Sequence, residues 1–153
     1  PLVKPELKAA KLWREEYEED DRGWYEKAID LIRHRFFTLK DFSSQGRTYF
    51  SEDYDFDAGA VAKNLTKFPE LREWLPELAT RFEAMSDEFV EANIETLVKA
   101  FTEEKGTKLG VIMNGARTML TGVAVGPSML SVFEIIGKEK TVTRLRSQVA
   151  WNE

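Results

Sequence analysis

Apolar residues recur along this chain every three to four positions and no stretch alternates apolar with polar, so the pattern predicts an all-α protein. Pro5 opens a first helix that runs to about Glu19, because proline is tolerated in the first helical turn, and the acidic run Glu18-Glu19-Asp20-Asp21 then leads to Gly23. The next helix spans about Trp24 to Phe36. On a wheel of about 100° per residue, Tyr25, Ala28, Ile29, Leu31, Ile32 and Phe36 form one apolar arc. Thr38 with Asp41 three residues later resembles a capping pair for a third helix ending near Phe50. The polar, acidic segment from Ser51 to Gly59 reads as a hinge.

Past the hinge, a helix around Ala60 to Lys67 precedes Pro69, which starts another at Glu70, and Pro76 is expected to kink or interrupt that element before Glu77 to Ala84. Met85 and Val90 flank Ser86 at the spacing of a hydrophobic staple, and Asp87 and Glu88 follow where the helix dipole favours carboxylates. A helix is therefore predicted from Ser86, with Val90, Ile94, Leu97, Val98 and Phe101 as its buried stripe and Gly106 as its end. Another follows from about Lys108 to Thr121, weakened by Gly110 and Asn114-Gly115, with Gly122 just past its end. Pro127 is placed at the first position of a short helix ended by Gly137, and a basic helix runs from Lys138 to Val149. The domain expectation is a first helical subdomain over 1–50, truncated at its N-terminus, a hinge over 51–59 and a second helical subdomain over 60–153.

Composition narrows the classes. A chain of 153 residues buries enough surface to hold a core without staples. The absence of cysteine excludes disulfides, thiolate catalysis and zinc held by sulfur, and it favours a reducing compartment, with the cytoplasm as the expectation. No stretch approaches the roughly 20 apolar residues needed to span a bilayer, and no signal region precedes the first helix. The chain begins at Pro1 without methionine and reads as a piece of something longer.

Net charge is −5, which taken evenly argues against a nucleic-acid partner. The distribution is uneven: residues 1–104 hold 15 Lys and Arg against 24 Asp and Glu, whereas residues 105–153 hold 7 against 3. A polyanion is expected at the C-terminal part. Charge alone fits equally well with solvated acidic helices and a solubilising basic tail.

The chemistry audit is mostly negative. Asp53, Asp55 and Asp57 have the alternate spacing of a calcium loop, but Ala58 stands where glycine belongs and Asn64 where a bidentate glutamate belongs. Gly110 to Gly115 has the glycine spacing of a phosphate loop, yet Ala116 and Arg117 replace the required lysine and hydroxyl. His34 lies on the polar side of its helix and reads as a solvated residue. No carboxylate pair sits in surroundings that would raise a pKa. The expectation is a chain that is not itself a catalyst and holds neither metal nor cofactor.

One cation is out of place. Arg35 falls at the edge of the apolar arc, near Ala28 and Leu31, while Arg33 and His34 fall outside it. Such a side chain serves either to stabilise the helix C-terminus through the macrodipole or to present a planar fork of donors beside Trp24, Phe36 and Phe37, which suits an unstacked base edge.

Taken in order, several segments resemble one family. Arg33-His34-Arg35-Phe36-Phe37-Thr38-Leu39, Phe50-Ser51-Glu52-Asp53-Tyr54, Lys108-Leu109-Gly110, Arg117-Thr118-Met119-Leu120-Thr121-Gly122, Gly126-Pro127-Ser128-Met129 and Gly137-Lys138-Glu139 follow the order and spacing of the C-terminal helical cage of bacterial-type glutamyl-tRNA synthetase. The resemblance covers most of the chain from Trp24 onward. Asn114-Gly115-Ala116 departs from it, since the family usually carries Gln-Pro-Leu there.

The resemblance implies a two-part helical cage that grips the anticodon loop of tRNA for glutamate and tests splayed bases by edge hydrogen bonds and stacking. It implies that Arg35 tests the third anticodon base, that Gly126, Pro127 and Met129 touch other anticodon bases, and that Arg117 and Lys99 face the RNA. Glycine and proline there also serve as helix-start punctuation, Met129 serves equally as core, and Lys99 as a solvated lysine. The parent enzyme would be a glutamate–tRNA ligase using ATP and magnesium in a catalytic domain missing from this chain, which is expected to act as a monomer with no membrane or DNA partner. The other reading is a helical protein-interaction module without an RNA partner.

Overall fold

A computed structural model describes residues 2–36 and 38–152. Among the described residues there are ten α-helices with short 3₁₀ and π stretches and no strand, the all-α architecture that the periodicity demands. They fall into two compact units, Pro1–Tyr54 and Asp55–Glu153.

In the first unit, α1 (Val3–Ala9) carries Pro5 in its first turn but ends well short of Glu19. Lys11 adopts φ 59°, a left-handed conformation, and the Leu12 N–H donates to the Leu7 carbonyl at 2.8 Å. This is a glycine-type helix stop made without glycine, so no residue type announced it. A 3₁₀ turn, Glu15–Glu18, then delivers Tyr17, 2% exposed, into a cluster of rings. Tyr17 stacks on Tyr25 at 5.2 Å and on Trp24 at 5.7 Å, while Trp13 meets Tyr17 and Tyr25 edge-on at 5.4 Å. Such pairs contribute about 0.5–1.5 kcal/mol each beyond area burial, which outweighs one more turn of exposed helix. Burial raises the Tyr17 and Tyr25 hydroxyls above their ordinary pKa.

The amphipathic α2 (Arg22–Arg33) turns Ala28 and Ile32 inward and leaves the rest of the predicted arc half-buried. The single helix expected after Thr38 is two, α3 (Lys40–Ser43) and α4 (Arg47–Phe50). They part at Gly46, where a Cβ would lie 2.7 Å from the Phe42 carbonyl oxygen and 3.1 Å from the Phe36 ring. The Thr38 N–H does donate to Asp41 Oδ2 at 2.9 Å, so the capping pair exists ahead of α3.

In the second unit, Asp57 caps α5 (Ala58–Val61) by accepting from the Ala60 N–H at 2.8 Å, and the helix widens into a π stretch, Ala62–Thr66. The next element, α6 (Leu71–Glu83), is one continuous helix with Pro76 inside it, so the proline does not interrupt it. Proline forfeits one backbone bond there, but Leu71, Leu75, Leu78, Ala79 and Phe82 are all fully buried along the same helix, and each large apolar side chain gains roughly 1.5–3 kcal/mol from burial.

A second correction concerns the staple at Ser86. Residues 85–90 are not helical, and α7 (Glu91–Lys105) begins only after Val90. Distant partners hold that segment out: Lys138 Nζ donates to the Met85 carbonyl, Phe89 meets Phe82 edge-on at 5.3 Å, and Glu134 accepts from the Glu91 N–H at 3.1 Å. The Glu134 carboxylate thus caps α7, a role the local sequence assigned to Ser86. Gly106 ends α7 with φ 63°, as expected.

The last three helices are α8 (Leu109–Thr121), α9 (Met129–Ile136) and α10 (Lys138–Arg146), followed by a 3₁₀ turn, Val149–Trp151. The final basic helix is shorter than predicted. α10 lies along α6 and against α8 and α9, and α7 packs on α9, α6 and α8. Gly115 lets α8 approach α6 so closely that a Cβ would sit 2.7 Å from Leu71 Cδ1.

Candidate nucleic-acid interface

In the first unit the turn after α2 presents Arg35. Because the helix ends at Arg33, Arg35 is not on a wheel edge but in the following turn, exposed, with its N–H donating to the Ile32 carbonyl at 3.1 Å. Arg33 pairs with Asp30 one turn back, whereas Arg35 carries no ion pair among the described residues. Phe36 is half-buried and meets Phe42 edge-on at 5.0 Å. Phe37, named beside it in the sequence reading, lies outside the described residues.

In the second unit the connection between α8 and α9, residues 122–128, forms a corner. Gly122 has φ 77°, and a Cβ on it would lie 2.0 Å from the Asp55 carbonyl oxygen, so only glycine fits. Its own carbonyl accepts from the Asp57 N–H at 2.7 Å. The Thr121 hydroxyl donates to the Arg117 carbonyl at 2.7 Å. Four residues further on, a Cβ at Gly126 would lie 2.8 Å from Arg117 Nη1. The half-buried Arg117 guanidinium is thereby laid against the backbone of Gly126, with no side chain between them.

Of the predicted site residues in this unit, Arg117, Gly126 and Pro127 share the corner. Pro127 precedes the N-cap Ser128 and so stands outside α9 and not at its first position. Met129, 6% exposed, is part of the core and fixes the start of α9. Lys99 is exposed on α7 and paired with Glu95 one turn before it. Two residues escaped the sequence reading: Val125 is 78% exposed and Val123 40%, apolar surface held in solvent inside the corner. The available signal was β-branched residues between two glycines.

The basic excess of the C-terminal segment is largely spoken for. Lys105 pairs with Glu77, Arg146 with Glu83 at 3.0 Å, Lys138 donates to the Met85 carbonyl, and Arg144, 3% exposed, donates from Nη1 to the Leu120 carbonyl at 2.7 Å. The Arg146 hydrogen bond holds the Glu83 carboxyl below its ordinary pKa, and Arg81 does the same for Glu104. A polyanion therefore meets few uncommitted cations here, and recognition falls to shape and directed donors.

The family described as "Anticodon binding domain" matches residues 2–149. The chain is 43% identical over 145 residues to a glutamate–tRNA ligase of Desulfotalea psychrophila, covering 95% of this chain and 29% of that protein, and 36% identical over 149 residues to one of Thermus thermophilus, covering 97% and 30%. The crystal structure of a glutamate tRNA ligase from Elizabethkingia meningosepticum in complex with its amino acid superposes with a TM-score of 0.72 at 27% identity, over 94% of this chain and 28% of that one. The chain thus spans less than a third of the length of the curated relatives it matches. With the match running through both units and across the corner that joins α8 to α9, the chain belongs to the anticodon binding domain family.

Proposed function

We propose that this chain reads the anticodon loop of tRNA for glutamate, as part of a glutamate–tRNA ligase. The observation that carries the reading is the corner at Gly126-Pro127, where a guanidinium, bare backbone and exposed valine surface meet. These are the groups that test an unstacked base, by edge hydrogen bonds and by apolar contact with a ring. Gly126, Pro127 and Val125 contact bases directly in this reading, Arg117 and Lys99 face the RNA, and Met129 supports from the core. Arg35 tests the third anticodon base, its five donors in a fixed fork facing solvent.

Attachment of glutamate to tRNA with ATP and magnesium is, in this reading, the work of polypeptide outside these residues. The glycines of Gly110 to Gly115 lie within α8, where they form no phosphate loop, and no group of three or more His, Cys, Asp or Glu among the described residues is placed to hold a metal. The parent acts as a monomer in the cytoplasm, without DNA or membrane as a partner. No helix among the described residues is long and apolar enough to cross a membrane.

The test is binding of the chain to transcripts of tRNA for glutamate and for glutamine. The wild-type chain prefers the former, and Arg35→Gln lowers discrimination at the third anticodon base by about 1–3 kcal/mol, the worth of one good base contact. Equal affinity of the wild-type chain for the glutamate transcript and one with a scrambled anticodon would overturn the reading.

A further inference from the structure

The base of the corner is locked from behind by a residue that touches no surface. The Leu120 carbonyl is one of the last four of α8, which have no partner within their own helix. Arg144 reaches it from α10, and that contact is buried. On its own helix Arg144 shares the inward stripe with Thr141, Val142 and Leu145, an odd place for a permanent charge unless a specific acceptor is supplied. Immediately beyond Leu120, the Thr121 hydroxyl ties to Arg117, and Gly122 is pressed on the Asp55 backbone. The same turn of α8 therefore fixes both where the guanidinium of Arg117 originates and where the corner departs.

We propose that Arg144 is a positioning residue for the Gly126-Pro127 corner: its guanidinium sets the end of α8 and so the register in which Arg117 lies against Gly126. This inference rests on the RNA reading of that corner. It separates two kinds of arginine in one chain, since Arg35 acts through its own exposed donors while Arg144, buried, acts through the end of α8 that it holds.

The experiment uses the full chain and an RNA hairpin carrying the anticodon stem and loop, with each anticodon base substituted in turn and thermal melting followed alongside. Arg144→Met keeps length and apolar packing but removes the guanidinium that donates to the Leu120 carbonyl. It is expected to melt cooperatively and to lose about tenfold of its discrimination at the bases facing the corner, with discrimination at the third base, read by Arg35, unchanged. Arg144→Lys, a compact donor without the planar fork, should fall between Met and wild type at the corner bases and again leave the third base alone. If Arg144→Met fails to fold, Arg144→Lys decides: the selective partial loss supports the role and a wild-type profile overturns it. Equal loss at all three bases in a folded variant, or none, also overturns it. A wild-type chain indifferent to every anticodon substitution overturns the RNA reading itself, whereas a discriminating wild type matched by an equally discriminating Arg144→Met overturns only the positioning role.

Discussion

The first unit is held by rings and the second by aliphatic helices, and the difference shows in how each presents its candidate contacts. Around Tyr17, four aromatic neighbours, Trp13, Trp24, Tyr25 and Phe50, interlock over short helices and turns. Beside them a groove of about 1020 Å³ stays open, lined by Trp13, Tyr25, Ile29 and Leu39 among others. The second unit packs longer helices through Leu71, Leu75, Ile94, Val98, Ile112 and Leu145, all fully buried, with Phe82 and Phe133 edge-on at 5.4 Å. In the loosely built unit the candidate contact group is a long flexible side chain, Arg35. On the densely built side it is backbone, the Gly126-Pro127 corner, whose position is worth defining because what surrounds it does not yield.

That contrast can be broken by truncation. Phe133→Ala should cost about 3–5 kcal/mol, as expected for a ring deleted from a core that cannot collapse, while Tyr17→Leu, which keeps apolar bulk but loses the stacks, should cost about 2 kcal/mol. Urea unfolding followed by circular dichroism measures both, and equal costs would erase the distinction. A finer test compares two glycines of the second unit with left-handed backbones. Gly122→Ala meets the Asp55 carbonyl and should lose about 3 kcal/mol, whereas Gly106→Ala, with φ 63° but open space around it, should lose only about 1 kcal/mol. A matching pair of values would mean that dihedral strain alone, without the close approach, governs the corner.

The smallest effect is electrostatic. Glu83 and Glu104 in the second unit, and Glu18 in the first through Lys4, have carboxyls held below the ordinary value of 4.5 by charge-assisted hydrogen bonds. A depressed folded-state pKa contributes stability that is present above the unfolded value and lost as pH falls through the folded one. Acidification below about pH 4.5 should therefore weaken both units modestly, the second more, and high salt should blunt the effect because these groups are exposed. Carboxyl titration by NMR should find Glu83 moved upward in Arg146→Met.

How much could be read from the letters follows the same division. Gly106, Gly122 and Gly137 mark helix ends because a left-handed residue is a local requirement that glycine meets, and all three have positive φ. The end of α1 at Ala9 was invisible because Lys11 takes that conformation under the pull of a ring cluster assembled from distant positions. The start of α7 was misplaced because its cap, Glu134, lies 43 residues away on another helix. Among the candidate site residues, Arg35 and the Gly126-Pro127 corner are singled out by family resemblance, while the wheel position that drew attention to Arg35 does not exist because α2 ends at Arg33. The laying of Arg117 on Gly126 and the inward turn of Arg144 depend on how α8 and α10 pack, which spacing within either helix does not encode.

Gly137, with φ 89°, closes α9 and opens α10 by itself, so no slack exists between the two helices. The eight residues from Met129 to Ile136 are in effect a gauge block: adding or removing one would turn the far end by about 100° and carry it about 1.5 Å along the axis. Met129 would swing out of the core and Glu134 off the start of α7 together. The length of α9 can therefore change only by whole helical turns, and its sequence is held at the buried face and at Glu134.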